Sequence, residues 1–164
     1  MAAPDFETLY AIEEALEPEL VTLLKSATSL QDSKVMRWLD SKDTTATPRL
    51  EVELRLGEPT GIKKPVAGLL RHAGWDAQII VRCITNQRRD TSAQHYSLIK
   101  QVRAQAETWQ TSLLIAELPY HALKKLLVNG TENNIEERSD GVQETVTALV
   151  WDTSIEIRSD AWPV

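Results

Sequence analysis

Cysteine occurs once in this chain, at Cys83, so no internal disulfide can form and no sulfur-rich metal site is available. Histidine is nearly as scarce. His72, His95 and His121 are each separated by more than twenty residues, and no two have metal-ligand spacing. No stretch reaches the roughly 18 apolar residues of a membrane span. The N-terminal "MAAPDFETLYAIEEALEPEL" has neither a basic leader nor an apolar run, so no signal peptide is expected. A reducing cytoplasm is the expected folding compartment. Cations are also in deficit: the net charge of −6 disfavours a broad nucleic-acid or anionic-membrane surface.

Reactive motifs are missing too. There is no G-x-S-x-G elbow to expose a nucleophile. "GEPTGIKK" has glycines, but Lys63 is followed by Lys64 and Pro65 where a phosphate loop needs Ser or Thr. The neighbouring carboxylates Glu13/Glu14 and Glu136/Glu137 read as solvated pairs, not as an acid–base couple. "NGT" at 129–131 matches a glycosylation sequon but reads as a turn. No catalytic residue, cofactor or metal site is expected, and the chain is not expected to be an enzyme.

What is present is patterning. With 164 residues, 42% hydrophobic and 26% charged, the chain is sized for one globular domain spanning 1–164. In "RLEVELRLG", Leu50, Val52, Leu54 and Leu56 alternate with charged residues, which marks a half-buried strand over 50–56. "WDAQIIVRCIT" predicts a second strand over 76–85 with both faces partly covered. The closing "QETVTALVWDTSIEIRSDAWPV" places Thr145, Thr147, Leu149, Trp151, Thr153, Ile155 and Ile157 on one parity. That is a strand of roughly fifteen residues, where five or six is usual.

Helical spacing appears twice. "FETLYAIEEAL" predicts a helix over 5–17, broken at Pro18, with a second turn-rich helix carrying Leu20, Leu23 and Leu24. His95, Leu98, Ile99, Val102, Ala106 and Trp109 form the buried stripe of another, capped by Asp90, Thr91 or Ser92. The short cluster Val35, Met36, Trp38 and Leu39 marks one small element in a polar connection. The Gly/Pro-rich stretch 57–74 has no period and reads as a long loop suited to contacts, as does the charged "TENNIEERSDG". Tract 111–130 fits strand and helix equally. The layout is α+β: a mainly antiparallel sheet, helices packed on one face, and a long terminal strand.

Candidate contact residues follow from exposure and charge. Lys63, Lys64 and Arg71 make the 57–74 stretch basic within an acidic chain. Arg88 and Arg89 occupy the turn before a helix N-terminus, where a solvated turn competes with an anion contact. Of five tryptophans, Trp75 and Trp162 are the best placed for outside contacts. Ile155 and Ile157 lie where the last strand outruns the two expected shorter ones, which leaves solvent, a loop or a neighbouring subunit to cover them.

This layout, from "FETLYAIEEAL" through "RLEVELRLG", "GWDAQIIVRCIT" and "DTSAQHYSLIKQVRAQ" to "ETVTALVWDTSIEIRSDAWP", resembles tail terminator proteins of tailed bacteriophages. The resemblance implies a structural virion protein at the tail–neck junction. It implies a homo-hexameric ring that caps the tail tube, ends tail polymerisation and joins the tail to the head connector. The implied partners are further copies of the chain, the tube protein with or without the sheath protein, and the neck connector. DNA would pass through the ring without being read, and no membrane is involved. Two other readings stand beside it. One is another neck, head-closure or tail-tube ring protein. The other is a small cytoplasmic enzyme whose pocket brings His72, His95 and Asp76 together between 57–74 and the helix at 91–109.

Overall fold

The computed structural model describes residues 6–42, 46–63, 72–109, 121–138 and 140–158. The alternation at Leu50, Val52 and Leu54 does form a strand, β2 (Arg49–Lys63), which continues well past its expected end. It pairs antiparallel with β3 (His72–Asn86), from Arg49↔Ile84 to Lys63↔His72. The 57–74 stretch is therefore not a loop at its two ends: 57–63 and 72–74 belong to the ladder, and 64–71 lies outside the described residues. The missing period has a local cause, because register shifts fall between Leu56 and Pro59 and between Pro59 and Gly61. Bulges of this kind accept Gly and Pro and scramble the alternation that marks a strand.

A short β1 (Val35–Arg37) lies parallel to β2 between two single-turn 3-10 segments, Asp32–Lys34 and Trp38–Asp40. Two further strands complete the sheet, β4 (His121–Glu137) and β5 (Gln143–Arg158), in the order β1-β2-β3-β5-β4. Both the ambiguous tract and the supposed charged loop thus contribute to one edge strand. Residues 131–137 are all exposed, and an edge strand tolerates charge on both faces, so its sequence carries no period. The connection to β5 is closed by Arg138 N–H donating to Val142 O at 2.8 Å, with Gly141 at φ +82°.

The long closing strand is central, not an edge. β3 pairs with it from His72↔Arg158 to Asn86↔Glu144, and β4 flanks its other side from His121↔Ile157 to Glu137↔Gln143. The expectation that its far end outruns the sheet is overturned, since β2 and β3 are themselves longer than their apolar cores.

Two helices pack on one sheet face, and the chain is an α+β fold with a mainly antiparallel sheet. α1 (Phe6–Ala27) runs through Pro18 without breaking. Pro18 lies on the exposed side of the helix, while Leu16, Leu20 and Leu24 keep one buried stripe across it. Burial of that stripe outweighs the local penalty. α2 (Ser92–Ala106) starts at a reciprocal cap: Gln94 N–H donates to Thr91 Oγ1 at 3.2 Å, and Thr91 N–H donates to Gln94 Oε1 at 2.8 Å. Its Leu98 and Val102 join Val52, Val81 and Leu149 in the core, and Trp109 meets Trp151 edge-on at 5.3 Å.

One polar residue fixes how α1 meets the sheet. Glu17 is 1% exposed. Its Oε1 accepts Leu54 N–H at 3.0 Å, and its Oε2 accepts Arg37 Nε at 2.7 Å. β1 ends at Arg37↔Val52, so the β2 amide beyond it has no strand partner and the helix carboxylate takes that place. One turn back, Glu13 Oε1 accepts Leu56 N–H at 3.3 Å.

Glu17→Ala leaves a buried amide and a half-buried guanidinium without this partner, and is expected to cost about 2–3 kcal/mol in urea unfolding. The exposed neighbour change Glu14→Ala is expected to stay within about 0.5 kcal/mol. Equal losses in the two variants would show that the carboxylate does not hold this edge.

Candidate functional site

The sheet face away from the helices carries the even-numbered residues of β3 and β5 and the odd-numbered charged residues 49–55 of β2, as the register dictates. Ile80, Ile84 and Val146 are buried there although no helix covers them. Long side chains shield them instead. Arg49 grips Glu144 bidentately at 2.5 and 3.1 Å and also donates to Glu51 at 3.1 Å. Ser41 Oγ donates to Glu51 at 3.0 Å, and Arg138 approaches Glu144 at 3.5 Å. Arg82 and Arg55 converge on Glu53 at 2.7 and 3.0 Å. Buried ion pairs of this geometry fix position more than they add stability.

These groups border two adjoining grooves of about 590 and 510 Å³ that share Arg55, Arg82, Glu136 and Val146. The larger has a floor of Ile80, Val146, Ala148 and Val150 and a wall formed by Gly130–Glu136 of β4. Arg82 and Arg55 on the opposite wall are already engaged by Glu53, whereas among the described residues no cation pairs with Glu132 or Glu136. The groove is therefore mainly polar, with Glu132 and Glu136 along its β4 side, and its deepest apolar residues, Ile80 and Val146, are already buried under the long side chains. Nothing lining it resembles a nucleophile and base.

The contact residues expected from sequence fall into separate places. Lys63 ends β2 opposite His72, Trp75 sits in β3 opposite Pro59 and Ile155, and Ile157 faces Ala73 and His121 in the ladder. These four share one end of the sheet. Because both edges of β5 are paired there, the uncovered strand end that suggested an interface at Ile155 and Ile157 does not exist. Arg88 and Arg89 lie at the other end, exposed, their backbone N–H groups donating to Asn86 Oδ1 at 2.9 and 3.1 Å. Lys64, Arg71 and Trp162 lie outside the described residues.

The enzyme constellation does not assemble. His95 packs on Thr85 at one end of β3, while Asp76 lies nine residues away on the opposite face, about 30 Å along the strand. His72 is farther still along the same strand.

His95 instead closes a buried polar chain. Thr147 Oγ1 donates to Asn133 Oδ1 at 2.7 Å, so it accepts from His95 Nε2, also at 2.7 Å. His95 Nδ1 then accepts the Thr85 hydroxyl at 2.9 Å. This order requires a neutral ring, and burial holds its pKa below the ordinary histidine value. Burial likewise pushes the Cys83 thiol up to about 12, leaving it protonated and unreactive.

Sequence reasoning missed Glu17, Glu144 and Thr147. Glu17 gives a weak signal, sitting one turn after Glu13 and beside the apolar stripe. Arg49, Glu51 and Glu53 look in sequence like any solvated strand face. No protein-family model matches the chain, and no curated protein matches it.

The neutral His95 gives a pH signature. The unfolded chain takes up a proton near pH 6.5, the folded one only at lower pH. The contribution is thus complete above about 6.5 and is lost as pH falls below it. Thermal melts at pH 7.5 and 5.5 should show a larger drop for the parent than for His95→Gln, which cannot titrate. Equal drops would mean that other groups carry the acid sensitivity.

Proposed function

We propose that this protein is a structural subunit that assembles with copies of itself. In the setting implied by the sequence resemblance, it caps a bacteriophage tail tube, ends its polymerisation and joins the tail to the head connector. The observation that supports this reading is the unlike character of the two sheet edges. On one side, the β2 amides beyond β1 are taken by Glu17 and Glu13. On the other, 131–137 of β4 is exposed along its length, with Ile135 57% exposed. An exposed edge of this length invites pairing with another chain. One open and one closed edge favour unlike contacts between successive copies, which close into a ring when the rotation permits.

In this reading the partners are further copies of the chain, the tube protein and the neck connector, and DNA passes through without being read. The acidic balance fits a lumen that does not hold DNA. The protein acts in the virion at the tail–neck junction and assembles in the host cytoplasm.

Native mass spectrometry and negative-stain imaging test it, with the protein alone and mixed with polymerised tail tubes. Six-membered rings, free or seated on tube ends, are the expected result. A monomer in both settings, with tubes of unaltered length, would refute the reading.

A further inference from the structure

Two oppositely charged parts of the surface form no ion pair among the described residues. One is the outer edge of β4. Its register with β5 runs unbroken from Gly130↔Val150 to Glu137↔Gln143, and one step on, Arg138 N–H donates to Val142 O. Hydrogen-bonded residues alternate along an antiparallel ladder. The even-numbered residues of this stretch therefore turn their main chain toward β5. Thr131, Asn133, Ile135 and Glu137 turn theirs outward, on the last strand of the sheet.

This edge is richer in acceptors than in donors. Ile135 N–H already donates to Asn134 Oδ1 at 3.0 Å, so the middle of the edge offers its carbonyl alone. Glu132 and Glu136 add two exposed carboxylates on the open-face side. A partner strand would need the amide that Asn134 has taken. Two β4 edges paired across Asn134 would also set Glu132 of each copy against Glu136 of the other. What fits is a cation that donates several hydrogen bonds and asks for no donor in return, which is arginine.

The turn between β3 and α2 supplies two. Asp90 N–H donates to Asn86 O at 3.0 Å, and Asn86 N–H donates to Asp90 Oδ2 at 2.8 Å. With Asn86 Oδ1 accepting the Arg88 and Arg89 amides, the backbone of 86–90 is fixed while both guanidinium side chains are exposed. They do not answer the acids of their own copy. Asn86 stands two strands, about 10 Å, from Glu136. The turn climbs from there to α2 on the helix side, whereas Glu132 and Glu136 face the other side.

We propose that residues 86–90 of a second copy of this chain dock on the β4 edge. Arg88 and Arg89 reach Glu132, Glu136 and the outward carbonyls between them. Turn and edge are unlike surfaces, so the contact is head-to-tail and each copy offers one of each. The inference rests on the self-assembly reading and names the surfaces that carry it.

Two charge-reversed variants test it in sedimentation velocity across a concentration series, without and with polymerised tail tubes: Glu132→Lys/Glu136→Lys, and Arg88→Glu/Arg89→Glu. All four side chains are exposed, so both variants should fold, which circular dichroism checks. Each alone should weaken self-association about tenfold relative to the parent. The equimolar mixture should recover it, because each variant then supplies the edge or the turn that the other needs.

Parent-like assembly by either variant would overturn the inference while leaving the self-assembly reading intact. Weakening without rescue would overturn it as well, and Glu132 and Glu136 would then serve only to keep other edges away. A parent that stays monomeric at every concentration and leaves the tubes unaltered would remove both.

Discussion

The carboxylate of Glu17 sets the geometry on which the rest of the molecule depends. It ties a helix to the margin of the sheet at a point where a strand has stopped, by accepting a backbone amide and a guanidinium together. Such a buried charge is tolerable only because both partners are present. With it in place, α1 continues across Pro18 and lays Leu16, Leu20 and Leu24 over β2. With Glu13, it also takes the β2 amides of Leu54 and Leu56 that β1 leaves unpaired. The difference between the two margins of the sheet starts at this contact.

A second constraint is the full-length pairing of β5. It sits between β3 and β4 over nearly its whole length, so the strand that looks overlong in sequence is the spine of the sheet. Its two parities serve two surfaces. Leu149 and Trp151 enter the helix-side core, while Glu144, Val146 and Val150 face the open grooves. The open face stays ordered without a helix because Arg49, Glu144, Arg82 and Glu53 lie across its apolar residues in paired geometry. That leaves a contoured, charged concavity bounded by the exposed β4 edge.

Much of this was legible in sequence where burial imposes a period. The alternation at Leu50–Leu56, the stripe of His95, Leu98, Ile99, Val102 and Trp109, and the parity of Thr145–Thr153 each led to the right element. The helix break at Pro18 was wrong because long-range packing outweighed a local rule. The 57–74 and 131–137 stretches read as loops because bulges and an exposed edge erase the period, although the backbone pairs throughout the described parts. The candidate surface was the least legible. Glu132 and Glu136 look like solvated charge and are exposed, and only the register shows that they border a groove on the open face.

The central claim is that copies of this chain meet through the open side of the sheet, not through the helices. Hydrogen–deuterium exchange on dilute and assembled protein addresses it most directly. Protection is predicted to rise on assembly at amides 130–137, with the helical amides of α1 and α2 unaltered. Unaltered exchange at 130–137, with new protection confined to the helices, would contradict the account.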